Sequence, residues 1–286
     1  TANGTTTLTD GTLSIGNATF NAAGTFSGAA SNTIDFTDAA GKLILSGSVG
    51  SSAYAGTLDD AMGTVEYDGA SAQVMFADDY YNIEIDGSAT KSLGGNTTVK
   101  GDITLTNGEL DFSGNKNLNV IGDITKTSGA LVNSSGTNGY LVLKATSSQN
   151  ASQAVCGFTG TSISIKKQNS GDVDITGNIS ANYIWLQSSN SGTFTIDNNY
   201  TLDVDQYIKV AGGTLNVVTG SLTTTQNSST THEITGGTLD IDGGTVSFGS
   251  SSDNTTDLNI DGGTLDISGG TLNVSDCIDI TTGTFT

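Results

Sequence analysis

Along most of the chain, apolar residues fall on every second position. TLDID from Thr238, TLNV from Thr214, TFTI from Thr193, DVDIT from Asp172 and SISI from Ser162 all set Leu, Ile, Val or Phe between small or polar neighbours. A period of two places the apolar side chains on one face of an extended strand. The segments are rich in Thr and β-branched residues, and Gly, Asn, Asp and Ser punctuate them, which favours strands and turns. No stretch carries a helical period. The pattern predicts an all-β protein.

The strand-like phrases also repeat. ITGGTLDIDGGTVSFG from Ile234 and IDGGTLDISGGTLNV from Ile260 align with a shift of 26. GGTLNVVTGSL from Gly212 matches GGTLDIDGGTV from Gly236 at 24, and VKGDITLTNGEL from Val99 matches VIGDITKTSGAL from Val120 at 21. Periods of this size mark a solenoid, in which each repeat buries its apolar face on its neighbours. The expected fold is a right-handed parallel β-helix (β-solenoid) with coils of about 21–26 residues. Roughly 12 coils stacked at about 4.8 Å would make a rod on the order of 55 Å long. Leu215, Leu239 and Leu265 should form an inner ladder, and the paired glycines should turn the corners with φ > 0. Residues 1–286 read as one continuous solenoid: irregular coils over 1–62, a distinct unit over 63–112, and regular coils over 113–286.

Within that distinct unit lie Gly63, Val65, Tyr67, Gly69, Gln73, Tyr80, Tyr81, Asn82, Lys91, Leu93, Val99, Gly101 and Ile103. Their spacing resembles a repeat unit of large exported surface proteins of the Bacteroidota, adhesin-like and often type IX-secreted. The flanking G-T-L-x-(I/V) coils are common to many surface β-solenoids, including autotransporter passengers. The resemblance implies export, a parallel β-helix and a surface, adhesive or fibrous role, and it carries over no catalytic residue.

Composition narrows the partners. The formal net charge is -20, all nine basic residues are lysines, and Pro is absent. Such a chain suits neither nucleic acid nor, lacking a long apolar run, a membrane span. It opens at Thr1 without methionine or a signal segment, as a mature or excerpted form would. An extracellular or cell-surface location is expected. Asn-x-Ser/Thr sequons, among them Asn17, Asn96, Asn178 and Asn254, permit glycosylation without requiring it.

Little catalytic chemistry is legible, and no enzyme is expected. The acid pairs Asp59/Asp60 and Asp78/Asp79 read as solvated turn carboxylates, because adjacent strand residues point to opposite faces. His232, beside Glu233, reads as an exposed corner histidine without metal-ligand company. Asn216, Asp240 and Asp266 should stack outward; the ladder reads first as hydrated acids, with Asp240 and Asp266 as candidate calcium ligands. No other cofactor is implied. The Thr-x-Thr pairs Thr104/Thr106, Thr125/Thr127, Thr193/Thr195 and Thr284/Thr286 read as strand propensity before an ice- or polysaccharide-binding array. Tyr67, Tyr80, Tyr81 and Trp185 are the candidates for a glycan-stacking platform, with repeat architecture preferred for the tyrosines. Cys156 and Cys277 read as buried core thiols. Strand-like GTTTLTDGTLSIG and CIDITTGTFT leave unpaired edges, which predicts either a segment of a much longer rod or a subunit that self-associates end to end, with a fibre or stalk favoured. A glycan- or ice-binding module is the alternative, and a polysaccharide-active β-helix enzyme the second.

Overall fold

A computed structural model describes residues 1–38, 40–49, 54–160, 162–224, 231–249 and 256–286. Every described regular element is a strand, and every described strand pairing is parallel. Successive coils of 18 to 26 residues, from Val65/Ile83 to Leu239/Leu265, stack into a β-solenoid. The chain forms two compact units, Thr1–Gly139 and Tyr140–Thr286.

In the first unit the longest face runs Thr19–Ala22, Lys42–Leu45, Thr64–Tyr67, Asn82–Ile85, Ile103–Leu105, Ile124–Lys126. A second face stacks Gln73–Val74, Thr90–Ser92, Glu109–Asp111 and Ala130–Val132, and Thr97–Val99 pairs with Asn117–Val120 on a third. The irregular early coils join the same register: Phe20 opposes Leu43, which opposes Val65. Gly11–Ser14, Asn32–Asp35 and Thr57–Leu58 form a short face of their own.

The second unit is more regular. One face runs Ser152–Val155, Asp172–Ile175, Thr193–Ile196, Thr214–Val217, Thr238–Ile241, Thr264–Ile267, Thr284–Phe285. A second runs from Phe158–Gly160 to Thr271–Val274, and a third from Gly139–Leu143 to Cys277–Ile280. Phe194, Leu215, Leu239 and Leu265 form the expected inner ladder, all essentially buried. Each such side chain contributes roughly 1.5–3 kcal/mol by leaving water. The outward positions between them are half-buried Thr, Asn and Asp.

The glycines serve a different purpose from the one their pairing suggests. Gly213 and Gly262 have positive φ, but Gly237, Gly244 and Gly270 do not. Room is the reason instead. A Cβ at Gly192 would lie 2.3 Å from the Gly171 carbonyl oxygen, one at Gly213 2.3 Å from that of Gly192, and one at Gly237 2.7 Å from that of Gly213. Corners stacked at strand spacing put each carbonyl where the next coil's side chain would begin.

Candidate functional site

Within the second unit, the outward side of the longest face carries two columns in register. The first is Thr193, Thr214, Thr238, Thr264 and Thr284; the second includes Thr195, Asn216, Asp240 and Asp266. The expected stack of Asn216, Asp240 and Asp266 is therefore present. Burial, with Asp242 and Asp266 adding negative field, raises the Asp240 carboxyl above the usual carboxylate range. Neighbouring donors relieve part of the strain: Asn216 Nδ2 donates to Asp242 Oδ2 at 3.2 Å and Ser268 Oγ to Asp242 Oδ1 at 3.0 Å. The threonine column is longer than the Thr-x-Thr runs suggested, because only the first threonine of each strand repeats. Reading the threonine of each G-T-(L/F) phrase, rather than the Thr-x-Thr pairs, would have found it. Acids in the second column break any uniform hydroxyl array.

The described group of three acids close enough to share an ion lies elsewhere, in the first unit, at Glu66, Asp68 and Asp86. Lys42 already neutralises part of it, reaching Glu66 at 2.5 Å and Glu84 at 2.7 Å. Lys42 comes from one coil and the two acids from the next two, so the triad staples three coils.

The acid pairs are structural too. Asp78 Oδ2 accepts the Leu58 N–H at 2.8 Å, and Asp79 Oδ1 accepts the Thr98 N–H at 2.8 Å. Asp59 accepts the Phe36 N–H at 3.3 Å and Asp60 meets Lys100 at 2.8 Å. These carboxylates sit at turns, as expected, but they bridge neighbouring coils rather than standing free in water. Burial, with Asp79 and Asp60 adding negative field, raises the Asp78 carboxyl above the usual carboxylate range.

Tyr67 and Tyr80 are fully buried, which removes them from any exposed platform. Their hydroxyls meet at 2.8 Å in a closed circuit: the Phe76 N–H donates to Tyr67 Oη at 3.0 Å, and Tyr80 Oη donates to the Phe76 carbonyl at 3.0 Å. Burial pushes both phenols well above their ordinary value. Beside them Gln73 donates to the Leu45 and Gly47 carbonyls at 2.7 Å, and buried Lys91 donates to the Gly69 carbonyl at 2.6 Å. Burial lowers the Lys91 ammonium, and it pulls that of Lys167 down to about 8. The Tyr, Gln and Lys positions of the 63–112 unit thus plug a solenoid corner with inward polar groups.

His232 is also buried, contrary to its reading as an exposed corner. Its ring stacks on Phe248 at 4.6 Å, its Nδ1 accepts the Ile208 N–H at 3.1 Å, and Thr224 Oγ1 lies 3.2 Å from Nε2. The backbone donor fixes Nδ1 as unprotonated, and burial depresses the imidazole to about 4. His232 opposes Leu258, so the sequence position is an inner-ladder one that alternation alone could have flagged.

Trp185 is half-exposed and belongs to an aromatic strip the sequence reading missed. The Tyr183 and Tyr207 rings stack at 4.8 Å with 12° between planes, and Tyr140 meets Tyr183 edge-on at 6.1 Å. Lys166 Nζ stands 3.7 Å above the Tyr140 ring and 5.9 Å from Trp185. Lys209 pairs with Glu233 at 2.5 Å in the same outward column as Trp185. Aligning YIWL with YIKV would have revealed the stacked tyrosines. Cys156 is buried as expected, but Cys277 is exposed. Asn254 lies outside the described residues.

Cys277–Ile280 and Thr284–Phe285 continue the ladders of the second unit, yet Ile278, Ile280 and Phe285 are 40%, 46% and 56% exposed. Their partners Leu258, Ile260 and Leu265 are 1%, 0% and 0% exposed. Core-type side chains here stand uncovered on a strand edge. No protein-family model, curated protein or solved structure matches the chain.

Proposed function

We propose that this chain is a structural element of an extracellular surface fibre or stalk, built by adding β-coils head to tail. The observation that carries the reading is the in-register stack itself, in which Phe194, Leu215, Leu239 and Leu265 lay one buried apolar ladder from coil to coil. In a second copy, Leu8 and Leu13 are half-exposed on strands Thr6–Leu8 and Gly11–Ser14, each the outermost of its sheet. Apolar ladders of this kind favour parallel strand addition. A contact between two different surfaces propagates a fibre when its rotation does not close a ring, as stacking coil on coil implies. Placement outside the cell follows the resemblance of the 63–112 unit to exported surface proteins. The acidic, arginine-free composition is compatible with it.

Sedimentation velocity over a hundredfold concentration range tests the reading. Growing assemblies are expected for the native chain and a single small species for Ile280→Asp. A single species for both, at every concentration, would reject self-assembly.

A further inference from the structure

We propose that a cleft at one corner of the second unit binds a neutral saccharide unit. The cleft arises from unequal corner lengths. Asp174 opposes Thr195 and Ile179 opposes Leu202, so Ile175 to Asn178 spans a corner that the next coil spans with Ile196 to Thr201. In the coil after that, Val217 to Ser221 suffices. The middle corner therefore overhangs its neighbours. It does so through Asn198 and Asn199, both left-handed at φ 53° and 60°, and a turn closed by the Tyr200 N–H on the Asp197 carbonyl at 2.9 Å. Asn is the non-glycine residue that adopts this conformation most readily, as a tight turn requires.

Beneath the overhang lies a cleft of about 370 Å³, whose lining includes Asp174, Thr176, Thr195, Asp197, Asn198 and Tyr200. That volume falls at the small end of ligand clefts, roughly 300–1,000 Å³. The lining has the chemistry a sugar ring requires. Tyr200 supplies an aromatic surface for its C–H face, and two carboxylates accept its hydroxyl protons. Each carboxylate is anchored by one oxygen: Asp174 Oδ2 accepts Ser152 Oγ at 2.5 Å, and Asp197 Oδ1 accepts Thr219 Oγ1 at 2.6 Å. The Thr219 hydroxyl and the Asn198 N–H hold Asp197 below the usual carboxylate range, so it stays an acceptor.

The lining holds no lysine, so an anionic ligand such as a phosphate or uronate would meet only repulsion. A calcium ion needs about six to eight oxygens, and the described trio of acids that could share an ion lies at Glu66, Asp68 and Asp86 instead. A neutral polyol is the class that uses both the acids and the ring. This binding does not depend on end-to-end assembly.

The test is calorimetric titration of the full chain with glucose, galactose, mannose, N-acetylglucosamine and their linear trisaccharides. Saturable binding of at least one is expected, weakened tenfold or more by Tyr200→Ala and by Asp174→Asn. Ile280→Asp should leave it unchanged. Thermal melts identify any variant that fails to fold, and Asp174→Asn, on an outward half-buried position, is the fallback for Tyr200→Ala. Absence of saturable binding across the panel would overturn the proposal. So would binding that both folded variants retain, or a calcium-dependent rise in melting temperature that Asp174→Asn abolishes without any sugar bound.

Discussion

Individual residues show most sharply how a solenoid reassigns polar groups. His232, Lys91, Gln73 and the Tyr67–Tyr80 pair would be surface or catalytic candidates in a globular enzyme. Here they satisfy backbone groups that stacked corners leave inside. A buried polar group costs free energy unless it is hydrogen-bonded, and each of these is. His232 makes this measurable. Its folded value lies near 4 against an ordinary 6.5, so the unfolded chain takes up a proton that the folded chain refuses. Stability from the neutral ring is fully present above pH 6.5 and is lost as the pH falls toward 4. The loss should reach about 3 kcal/mol. Urea denaturation of the native chain and His232→Asn should show that difference narrowing across the interval. Parallel curves would show that the ring does not titrate on unfolding. Period-two alternation already placed His232 inward; its lone company, a polar type beside Glu233, made the corner reading attractive.

At the scale of the strand and corner, register is what the sequence made legible. The shifts of 26, 24 and 21 reappear as Leu239/Leu265, Leu215/Leu239 and Ile103/Ile124 pairs. A one-residue slip would turn every apolar side chain outward, so alternation specifies the pairing strongly. The glycines were legible as corners but not for their physical reason, since crowding between coils has no local signature. Gly192→Ala drives a Cβ to 2.3 Å from the Gly171 carbonyl, whereas Gly4→Ala meets nothing within 4 Å. The first should cost about 1–3 kcal/mol, and the second should stay within about 0.5 kcal/mol of native, both by denaturant titration. Equal effects would contradict the corner model.

The aspartate ladder behaves as a second element-scale device. Because the folded Asp240 carboxyl is raised above 3.8 by burial and its acidic neighbours, ionisation works against the fold above that pH. Asp240→Asn should raise the melting temperature at pH 7, and the gain should vanish below pH 3.8. A lower melting temperature at pH 7 would mean that the ionised carboxylate contributes something other than repulsion, such as holding a cation.

The corner Ile196 to Thr201 escaped the sequence reading for a different reason. Phe194 and Leu215 are still 21 apart, as are Val173 and Phe194, so the coil period conceals residues gained at one corner and lost at another. Coil length is set by a sum, and a sum does not locate its terms. The aromatic strip was hidden similarly, because Tyr183 and Tyr207 match at 24 while the opposite face keeps 21.

At the scale of the whole molecule, composition and fold bear on how copies meet. The net charge of -20 favours dispersal, opposing association at low ionic strength. The uncovered Ile278, Ile280 and Phe285 favour association, and salt that screens the charge should tip the balance toward it. No described helix is long and apolar enough to cross a membrane. The claim that further coils dock on this ladder is tested most directly by hydrogen exchange at Cys277–Ile280 and Thr284–Phe285, followed as concentration rises. The account predicts that amides there, and at Thr6–Leu8 and Gly11–Ser14, become protected together as assemblies form. Exchange at these strands that stays fast and independent of concentration would contradict it.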